Sequence, residues 1–559
     1  MNALAREVGA GAWARSLAHR PEISVEALAL VVSGFFTLSF HHAFWRAVIA
    51  TGALHGAGGW LTGVSLAVSI TALNMILLCV LLNRWTAKPV LTVLLLATAL
   101  AAHFMDQYTV YFDDDMIRNI LHTDRKESAE LVSLGLIPAL FLRGVLPVAL
   151  LWRLRLKPTP MGRALLVRSV CLGAAIAVAA GGILLSFQNL SALMRNHTEV
   201  RHLITPGNYL VSLGRVLLDD GSARKPRTPI GTDARVVARA PASRPRLLVL
   251  VVGETLRAQN WGLNGYARQT TPQLAQIDLV NFSDVTACGS STEVSLPCMF
   301  SPYGRGHYDK GRIKHSQSLL HVLEHAGIPT LWRDNQTGCK GVCDGLAFES
   351  FEHARDRRLC DREGCLDEVM LRGLADEVGK RPGDMVVVLH QLGSHGPRYY
   401  KRYPERLRRY RPACERSELG QCRPSEIVNA YDNAVLYTDE FLARTIHFLA
   451  GQTSRDTALI YLSDHGESLG EHGLFLHGVP YAIAPDTQLK VPMIMWMSSG
   501  FAAARGIDMQ CMKKSANRPS SHDNLFHSVL GLMQVDTREY DPDLDLFQHC
   551  SAVPGSTRS

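Results

Sequence analysis

Long apolar runs almost free of charge fill the first third of this 559-residue chain, and shorter apolar runs alternate with polar segments in the rest. A helix needs about 20 mostly apolar residues to cross a bilayer. Five runs in the first third approach or reach that length, the third being the shortest. The pattern predicts a transmembrane domain over residues 1–187 with five helices, at 25–50, 60–82, 90–104, 134–151 and 165–187.

The polar segments between these runs alternate in basic residues. The N-terminal stretch and segments 83–89 and 152–164 carry Arg and Lys, whereas segment 51–59 has neither and segment 105–132 balances its bases with acids. The positive-inside rule then places the N-terminus in the cytoplasm, and an odd number of crossings places the chain after residue 187 on the far side. The N-terminus lacks the pattern of a cleaved signal peptide, so we expect the first helix to remain as an anchor.

Ten of the twelve cysteines follow residue 187, while Cys79 and Cys171 lie inside apolar runs as small buried residues. Most of the ten form close pairs along the chain: Cys288 with Cys298, Cys339 with Cys343, Cys360 with Cys365, and Cys414 with Cys422. A bond between Cys511 and Cys550 is left open. A structural zinc site is the alternative for Cys339 and Cys343, but the pairs lie on separate segments without matching histidines. Because disulfides persist outside the reducing cytosol, the cysteines agree with the loop charges on a periplasmic or extracellular location.

A connector is predicted over residues 188–245. Apolar positions recur at helical spacing in segment 189–218, which could lie along the membrane surface or form a helix pair packed on the soluble domain. Segment 219–245 is rich in Arg, Pro, Ala and Gly without an apolar period and is typical of a linker. Segment 111–131, in an outer loop, is expected to contain a short helix that caps the membrane domain.

Three continuous apolar runs after residue 245 are typical of buried parallel strands. Each run ends in residues that can bind a metal: Glu254 in the first, His390 with His395 shortly after it in the second, and Asp464 with His465 in the third. Helical patterns at 318–325, 368–378 and 426–449 separate them. The order predicts an open α/β domain over residues 246–559 with its site at the carboxyl edge of the sheet.

Candidate metal ligands and a candidate nucleophile lie close to these strand ends. Glu467, Glu471, His472 and His477 follow Asp464 and His465 within thirteen residues, as a catalytic metal site would require. Segment 284–301 places Ser290, Ser291 and Thr292 at a helix start, where backbone N–H groups favour phosphate. A hydroxyl beside a zinc ion there could attack phosphorus, although Ser and Thr also commonly cap helices without catalytic roles.

Five motifs resemble those of the lipid A phosphoethanolamine transferases: VVGET, CGSSTEVSLPCMFS, WRDNQTGCKGVCD, LHQLGSHGP and SDHGESLGEHGLFLHG. That family belongs to the sulfatase-like branch of the alkaline phosphatase superfamily and includes enzymes of polymyxin (colistin) resistance. The resemblance runs over nearly the whole chain. It implies a five-helix membrane anchor in the bacterial inner membrane, followed by a periplasmic α/β domain of alkaline phosphatase/sulfatase-like fold with disulfides.

The resemblance also assigns roles to single residues. Thr292 would be the nucleophile, and one zinc ion would be held by Glu254, Thr292, Asp464 and His465. A second zinc ion or the substrate phosphate would lie near His395 and His477. The expected substrate-binding residues are Gln336, Thr337, Lys340, His390, His395 and His477. Glu467 and Glu471 would support these groups or be exposed, and His472 would lie on the surface.

The implied reaction transfers phosphoethanolamine from phosphatidylethanolamine to a phosphate of lipid A through a phosphothreonine-type intermediate. The expected partners are these two lipids and the inner membrane, with a monomeric chain. The mild net charge of +7 does not require nucleic acid. Alternatives are another acceptor (core heptose, Kdo or a periplasmic glucan), a metal-dependent phosphatase or sulfatase, and an anchored binding protein with a degenerate site. The absence of a CxPxR pattern speaks against a sulfatase, and the complete set of expected zinc ligands against degeneracy.

Two residues depart from the family pattern. Members often have Thr where Ser290 stands and a small residue where Glu293 stands. Glu293 adds a negative charge beside a site that handles phosphate, unless its carboxylate turns away or binds a partner.

Overall fold

A computed structural model describes residues 20–54, 59–123, 128, 130–222, 226–237, 243–361 and 364–551. The chain forms two compact units. The first contains Met1–Ile117 and Ser133–Val216, and the second contains Arg118–Val132 and Leu217–Ser559. The boundaries expected at residues 187 and 245 stay predictions.

Residues 20–222 form a series of helices. They are α1 (Val25–Ser39), α2 (His42–Ala50), α3 (Gly59–Leu81), α4 (Ala87–Tyr108), α5 (Asp114–His122), α6 (Leu136–Arg153), α7 (Met161–Leu185), α8 (Phe187–Asn196) and α9 (Gly207–Ser222). A short parallel pair joins Glu22–Ile23 to Arg155–Leu156.

Helices α3, α4, α6 and α7 are each long and apolar enough to cross a membrane. Helices α1 and α2 pass the same test only as a pair, because they are bent by 51° at the break between them. The described residues thus hold four candidate spans, or five if the bent pair is one span, which confirms the helical membrane domain. The bend follows Ser33 and Thr37, whose hydroxyls donate to the backbone oxygens one turn earlier (2.7 and 3.0 Å). Such bonds compete with the regular helical pattern and often bend helices.

The predicted connector packs on the helical unit. Leu193, Val200, Leu203 and Val216 share an apolar cluster with residues of α2, α3 and α4 such as Phe44. These apolar positions therefore face the neighbouring membrane helices, and the two placements expected for segment 189–218 stay predictions.

The predicted linker is partly ordered. Ile230 and Ala234 are buried in the core of the second unit. Arg235–Val236 pairs with Val535–Asp536 as a short antiparallel ladder. Residues 223–225 and 238–242 of the predicted linker lie outside the described residues, as do 124–127 and 129 of the expected outer-loop helix, whose described part is α5.

The second unit contains an eight-stranded sheet. Its strands are β1 (Arg246–Gly253), β2 (Val280–Thr286), β3 (Thr330–Asp334), β4 (Phe348–Ser350), β5 (Met385–His390), β6 (Asp456–Ser463), β7 (Lys490–Met497) and β8 (Ser520–Ser521). The order across the sheet is β8-β2-β7-β6-β1-β5-β3-β4. Only β7 runs antiparallel to its neighbours in this sheet. The predicted open α/β sheet is confirmed.

Helices cover both faces of this sheet. They are α10 (Thr292–Met299), α11 (Lys310–His315), α12 (Leu319–His325), α13 (Leu374–Gly379), α14 (Pro424–Ala450), α15 (Asp486–Leu489), α16 (Ser499–Arg505), α17 (Met509–Ser515) and α18 (Asp523–Met533). The helix predicted at 368–378 is instead a 3₁₀ turn, Asp367–Leu371, followed by α13. The break comes at Gly373, whose φ of +67° leaves the helical region.

Strand β1 shows why the sheet is buried on both sides. Leu248, Leu250 and Val252 enter one apolar cluster, whereas Leu247 and Val249 enter the other. Alternate side chains of a strand point to opposite faces of the sheet, so a continuous apolar run packs into the apolar clusters on both faces. The carboxyl ends of the parallel strands therefore meet at one edge, where polar residues follow.

Five disulfides link cysteines of the second unit: Cys288–Cys298, Cys339–Cys343, Cys360–Cys365, Cys414–Cys422 and Cys511–Cys550. The structural zinc alternative for Cys339 and Cys343 is wrong, because their sulfurs are bonded to each other. Cys79 and Cys171 carry free thiols in the helical unit.

Arg246 is a stability determinant of the second unit. Its side chain is 1% exposed, pairs with Asp384 (2.8 Å) and donates to the backbone oxygens of Leu532 and Met533 (3.0 and 2.8 Å). We expect Arg246→Gln to destabilise the unit by about 3–5 kcal/mol, because it leaves a buried carboxylate without its counter-charge. The control is Arg235→Gln, which removes a 79% exposed arginine and should cost less than about 1 kcal/mol.

The measurement is the unfolding midpoint of both variants in the purified full-length protein in detergent. Equal midpoints for the two variants would contradict this account of Arg246.

Candidate metal centre

Three side chains that can bind a metal meet at the carboxyl edge of the sheet. Glu254 follows β1, and Asp464 and His465 follow β6. One ligand atom from each lies within 4.8 Å of the others, and all three residues are fully buried. Asp464 Oδ1 accepts the backbone N–H groups of Thr255 (3.2 Å) and His465 (2.7 Å), which fixes the carboxylate in place.

Thr292 points its hydroxyl at this cluster. It is the first residue of α10, and its Oγ1 lies 3.2 and 3.1 Å from the two carboxylate oxygens of Glu254 and 3.3 Å from His465 Nε2. The N-cap residue Ser291 makes no side-chain capping bond, and Ser290 donates to the backbone oxygen of Val479 (2.5 Å). Of the Ser290, Ser291 and Thr292 hydroxyls, only that of Thr292 contacts the carboxylates and imidazole of this cluster among the described contacts.

The start of α10 is held against β6. Ser295 Oγ donates to the backbone oxygen of Asp464 (2.5 Å), and the Cys288–Cys298 disulfide ties the loop before the helix to its last turn. These contacts hold Thr292 close to Asp464 and His465, the two candidate ligands that follow β6.

The electrostatics of the centre favour a bound cation. Burial and the adjacent Glu254 carboxylate raise the pKa of Asp464 to about 7. Burial would lower the pKa of His465, but Asp464 and Glu254 raise it to about 10. Burial would also raise the pKa of Glu254, but the hydrogen bond and charge of His465 hold it well below its usual range. Two buried carboxylates therefore compete for one imidazolium.

One atom of the cluster supports a metal directly. Asp464 Oδ2 is buried and lies 3.3 Å from His465 Nε2, but it accepts no hydrogen bond among the described residues. Burying a carboxylate oxygen without a hydrogen bond lowers the stability of the folded protein. Two carboxylates, an imidazole nitrogen and a hydroxyl are oxygen and nitrogen donors of the type that zinc accepts. The residues present therefore fit a divalent metal ion.

Two further predicted histidines lie beside the centre. A short hairpin, Ser468–Leu469 with Phe475–Leu476, returns the chain so that the ring of His477 lies 4.3 Å from that of His465. His395 lies 5.5 Å from His477, ring to ring. Burial lowers the pKa of His395 to about 3. These two imidazole rings lie beside the candidate metal ligands, on the side of His465.

Glu467 orients His477. Its carboxylate lies 2.9 Å from His477 Nδ1 and accepts the hydroxyl of Tyr399 (2.7 Å). Glu467 is fully buried, whereas Glu471 pairs with Arg257 (2.6 Å) and His472 is exposed. Of the acids after β6, Glu467 therefore supports the centre and Glu471 does not enter it.

His390 ends β5 and lies against Asp334 at the end of β3, with Nδ1 2.8 Å from the carboxylate. Burial would lower the pKa of His390, but Asp334 raises it. His390 Nε2 is buried without a hydrogen-bond partner in the described part of the chain. An unpartnered buried imidazole nitrogen is available to a bound group.

The remaining predicted residues lie on one loop after β3. Gln336 Nε2 donates to Glu254 (2.9 Å), so this loop contacts a candidate ligand directly. Lys340 Nζ donates to Thr337 Oγ1 (2.8 Å). Lys340 has a φ of +47° and lies inside the Cys339–Cys343 loop, which fixes the position of its backbone.

Sequence reasoning missed three supporting residues. Asp334 ends β3, whose sequence TLWRD contains Arg333 and is not a continuous apolar run, so the pattern of the other strands did not indicate it. Ser295 carried no signal. His522 Nε2 lies 2.9 Å from the Ser463 oxygen, and its Nδ1 accepts the N–H of Cys288 (3.2 Å). It lies far along the chain and carried no signal either.

The unusual Glu293 is neutralised by partners. Its buried carboxylate accepts from Lys314 Nζ (2.6 Å) and lies 3.2 Å from Nδ1 of His122, which belongs to the second unit. Burial would raise the pKa of Glu293, but His122 and Lys314 lower it to about 2. The extra negative charge beside Thr292 is therefore compensated.

This compensation can be tested by a double-mutant cycle. We expect Glu293→Ala alone to destabilise the protein by about 2–3 kcal/mol, because it leaves the largely buried Lys314 unpaired. Adding Lys314→Met should recover part of that loss, with a coupling of about 1–3 kcal/mol in unfolding measurements. The exposed pair Lys513–Asp278 serves as the control cycle and should couple by less than about 1 kcal/mol. Additive effects at Glu293 and Lys314 would refute the pairing.

Comparison with known proteins places these features in a family context. Residues 246–535 match the family described as Sulfatase, and residues 70–220 match the family described as Phosphoethanolamine transferase EptA/EptB. The chain is 35% identical over 543 residues to the phosphoethanolamine transferase EptA of Escherichia coli strain K12, over 96% of this chain and 99% of that protein. It is 38% identical over 436 residues to the phosphatidylethanolamine transferase Mcr-1 of E. coli, over 76% of this chain and 81% of that protein.

A solved structure matches almost the entire chain. The integral membrane lipooligosaccharide phosphoethanolamine transferase A (EptA) from Neisseria meningitidis gives a TM-score of 0.91 at 35% identity, over 95% of this chain and 99% of that chain. The match confirms the predicted combination of a helical membrane domain and a sulfatase-like α/β domain with disulfides.

Proposed function

The chain belongs to the phosphoethanolamine transferase family of EptA and Mcr-1, and we propose that it transfers phosphoethanolamine from phosphatidylethanolamine to a phosphate of lipid A. The observation that carries the proposal is the Thr292 hydroxyl, 3.1 to 3.3 Å from Glu254 and His465 at the start of a helix. A hydroxyl in that setting suits nucleophilic attack on phosphorus.

The cofactor in this proposal is zinc, held by Glu254, Thr292, Asp464 and His465. When bound, zinc lowers the pKa of a coordinated hydroxyl and offsets negative charge on a transferring phosphoryl group. His395 and His477 lie on the side where a second zinc ion or the substrate phosphate would bind. The orphaned Asp464 oxygen is the structural support for this assignment.

The chain's own residues carry two displacement steps. Thr292 Oγ1 forms a bond to the phosphorus of phosphatidylethanolamine as the bond to the diacylglycerol oxygen breaks. The proton lost by Thr292 ends on that oxygen. A phosphate oxygen of lipid A then attacks the phosphorus as its bond to Thr292 Oγ1 breaks, and Oγ1 takes up the proton that the attacking phosphate group gives up.

The loop after β3 supplies the charge for substrate binding. Lys340 and Thr337 would contact the phosphoryl oxygens, and Gln336 links this loop to Glu254. His390 offers its free Nε2 to the same pocket. Hydrogen bonds from charged donors to phosphate are stronger than those between neutral groups.

Membrane attachment fits the two lipid substrates. The four or five candidate spans among the described residues would hold the protein in the inner membrane, and the loop charges and disulfides support a periplasmic catalytic unit. Adding an ethanolamine ammonium lowers the negative charge of lipid A. Cationic peptides such as the polymyxins would then bind that surface less strongly.

The reaction can be tested by mass spectrometry of lipid A from cells that express each variant. The wild type should add phosphoethanolamine, and Thr292→Ala should add none, because the nucleophile is gone. The control is Ser290→Ala, which removes a neighbouring hydroxyl that bonds only to Val479 in this region and should retain most of the modification.

Addition that survives Thr292→Ala would refute the mechanism. A wild type that modifies core heptose, Kdo or a glucan while leaving lipid A phosphates bare would refute the acceptor.

A further inference from the structure

A cluster of charged side chains in the helical unit has no role in the proposed reaction. It is centred on Asp106, two residues before the end of α4. Arg143 Nη1 of α6 donates to Asp106 Oδ2 (3.0 Å), and His42 Nδ1 lies 3.3 Å from Oδ1. Arg46 of α2 donates to the backbone oxygen of Asp106 (3.4 Å). Three helices thus bring two guanidinium groups, an imidazole and one carboxylate together.

The cluster is open to its surroundings and carries more positive than negative charge. The side chains of His42, Arg143 and Asp106 are 67%, 37% and 23% exposed. Two arginines face one aspartate. The nearby acid Glu199 is buried and lies 3.2 Å from His197, its own partner. Ionisable groups on membrane helices are costly and usually mark functional sites.

The local backbone geometry of α6 points the Arg143 side chain toward Asp106. Residues Phe141–Val145 form a π-helical turn within the helix, a feature often found at functional sites. Gly144 in this turn packs so tightly that a Cβ there would lie 3.2 Å from Leu96 and 3.3 Å from Ala99 of α4. The close packing of α6 on α4 and the π-turn together set the direction of the Arg143 side chain.

Apolar surface adjoins the charges. Phe141, Leu142 and Leu146 on α6 are exposed in the unit, as are Ile49 on α2 and Leu100 on α4. Arg143 lies seven residues from the start of α6, which is about 10 Å along the helix axis. A long arginine side chain can carry its charged end from that depth toward the lipid headgroups, and the Arg143 guanidinium meets Asp106 near the end of α4.

The proposed orientation places the cluster in the outer leaflet. With the N-terminus in the cytoplasm, α2 and α4 end on the periplasmic side and α6 begins there. Asp106 lies near the periplasmic end of α4, and the side chains of His42, Arg46 and Arg143 reach it from α2 and α6. This leaflet is where a lipid substrate of a periplasmic enzyme would be found.

We propose that Arg46, Arg143 and Asp106 bind the headgroup of the donor phosphatidylethanolamine before transfer, an inference that rests on the proposed function. The two guanidinium groups hold the phosphodiester, for which arginine is well suited. The Asp106 carboxylate accepts the ammonium group, and the acyl chains lie on the exposed apolar side chains of α6. The site concentrates the donor at the enzyme and takes no part in bond making.

The test compares two donors with the full-length protein in mixed micelles. One is phosphatidylethanolamine, and the other is a water-soluble nitrophenyl ester of phosphoethanolamine, which needs no membrane site. We expect Arg46→Gln and Arg143→Gln to raise the KM for phosphatidylethanolamine about tenfold with kcat unchanged, because each removes a charged hydrogen bond. Neither variant should change turnover of the soluble ester. Arg84→Gln is the control, because Arg84 lies on Trp85 at the opposite end of α4.

Equal losses with both donors would overturn the proposal by showing a structural role, and so would an unchanged KM for phosphatidylethanolamine.

Native mass spectrometry supplies an independent readout. The wild type should retain phosphatidylethanolamine in preference to phosphatidylglycerol, and Arg46→Gln should lose it. Equal retention of both lipids by the wild type would overturn the headgroup assignment. A wild type that turns over neither donor yet retains phosphatidylethanolamine would refute the proposed function while supporting this site.

Discussion

Two buried carboxylates, Glu254 and Asp464, lie beside a single imidazole, and the arrangement of the second unit follows from this concentration of negative charge. Like charges 4 to 5 Å apart inside a protein repel by roughly 3 to 4 kcal/mol. Parallel strands β1 and β6 force the two acids together, because their carboxyl ends meet at one edge of a fully buried sheet. His465 offsets part of the repulsion, and the unsatisfied Asp464 oxygen leaves a place for a metal ion.

The contacts around this centre hold the candidate nucleophile in place and neutralise the acid beside it. Thr292 is held at the carboxylates by α10, which Ser295 and a disulfide fix in place. An unpaired carboxylate at the start of α10 would repel a phosphate group bound there. The carboxylate of Glu293 is instead paired with Lys314 and His122. Specificity for two lipids would then come from the helical unit and from the loop that carries Lys340, while the metal centre would supply the reaction itself.

Much of this could be predicted from the sequence, for physical reasons. Short continuous Val- and Leu-rich runs between helical patterns are typical of strands buried on both faces, so Glu254, Asp464 and His465 could be assigned to one sheet edge. Contacts between distant segments could not be predicted this way. The support from His522, the partners of Glu293 and the packing of the connector on the membrane helices depend on tertiary contacts. The bend between α1 and α2 was missed because hydropathy does not register side-chain bonds to the helix backbone.

The central claim is that Glu254, Asp464 and His465 form a zinc site with Thr292, and metal content tests it most directly. The measurement is elemental analysis of the purified, desalted full-length protein and two variants. The wild type should retain about one zinc ion per chain or more, and Asp464→Asn should lose it. Glu467→Gln, which disturbs the contacts to His477 and Tyr399 but none of the four proposed ligands, should keep it. A wild type without zinc, or an Asp464→Asn variant with undiminished zinc, would contradict the account.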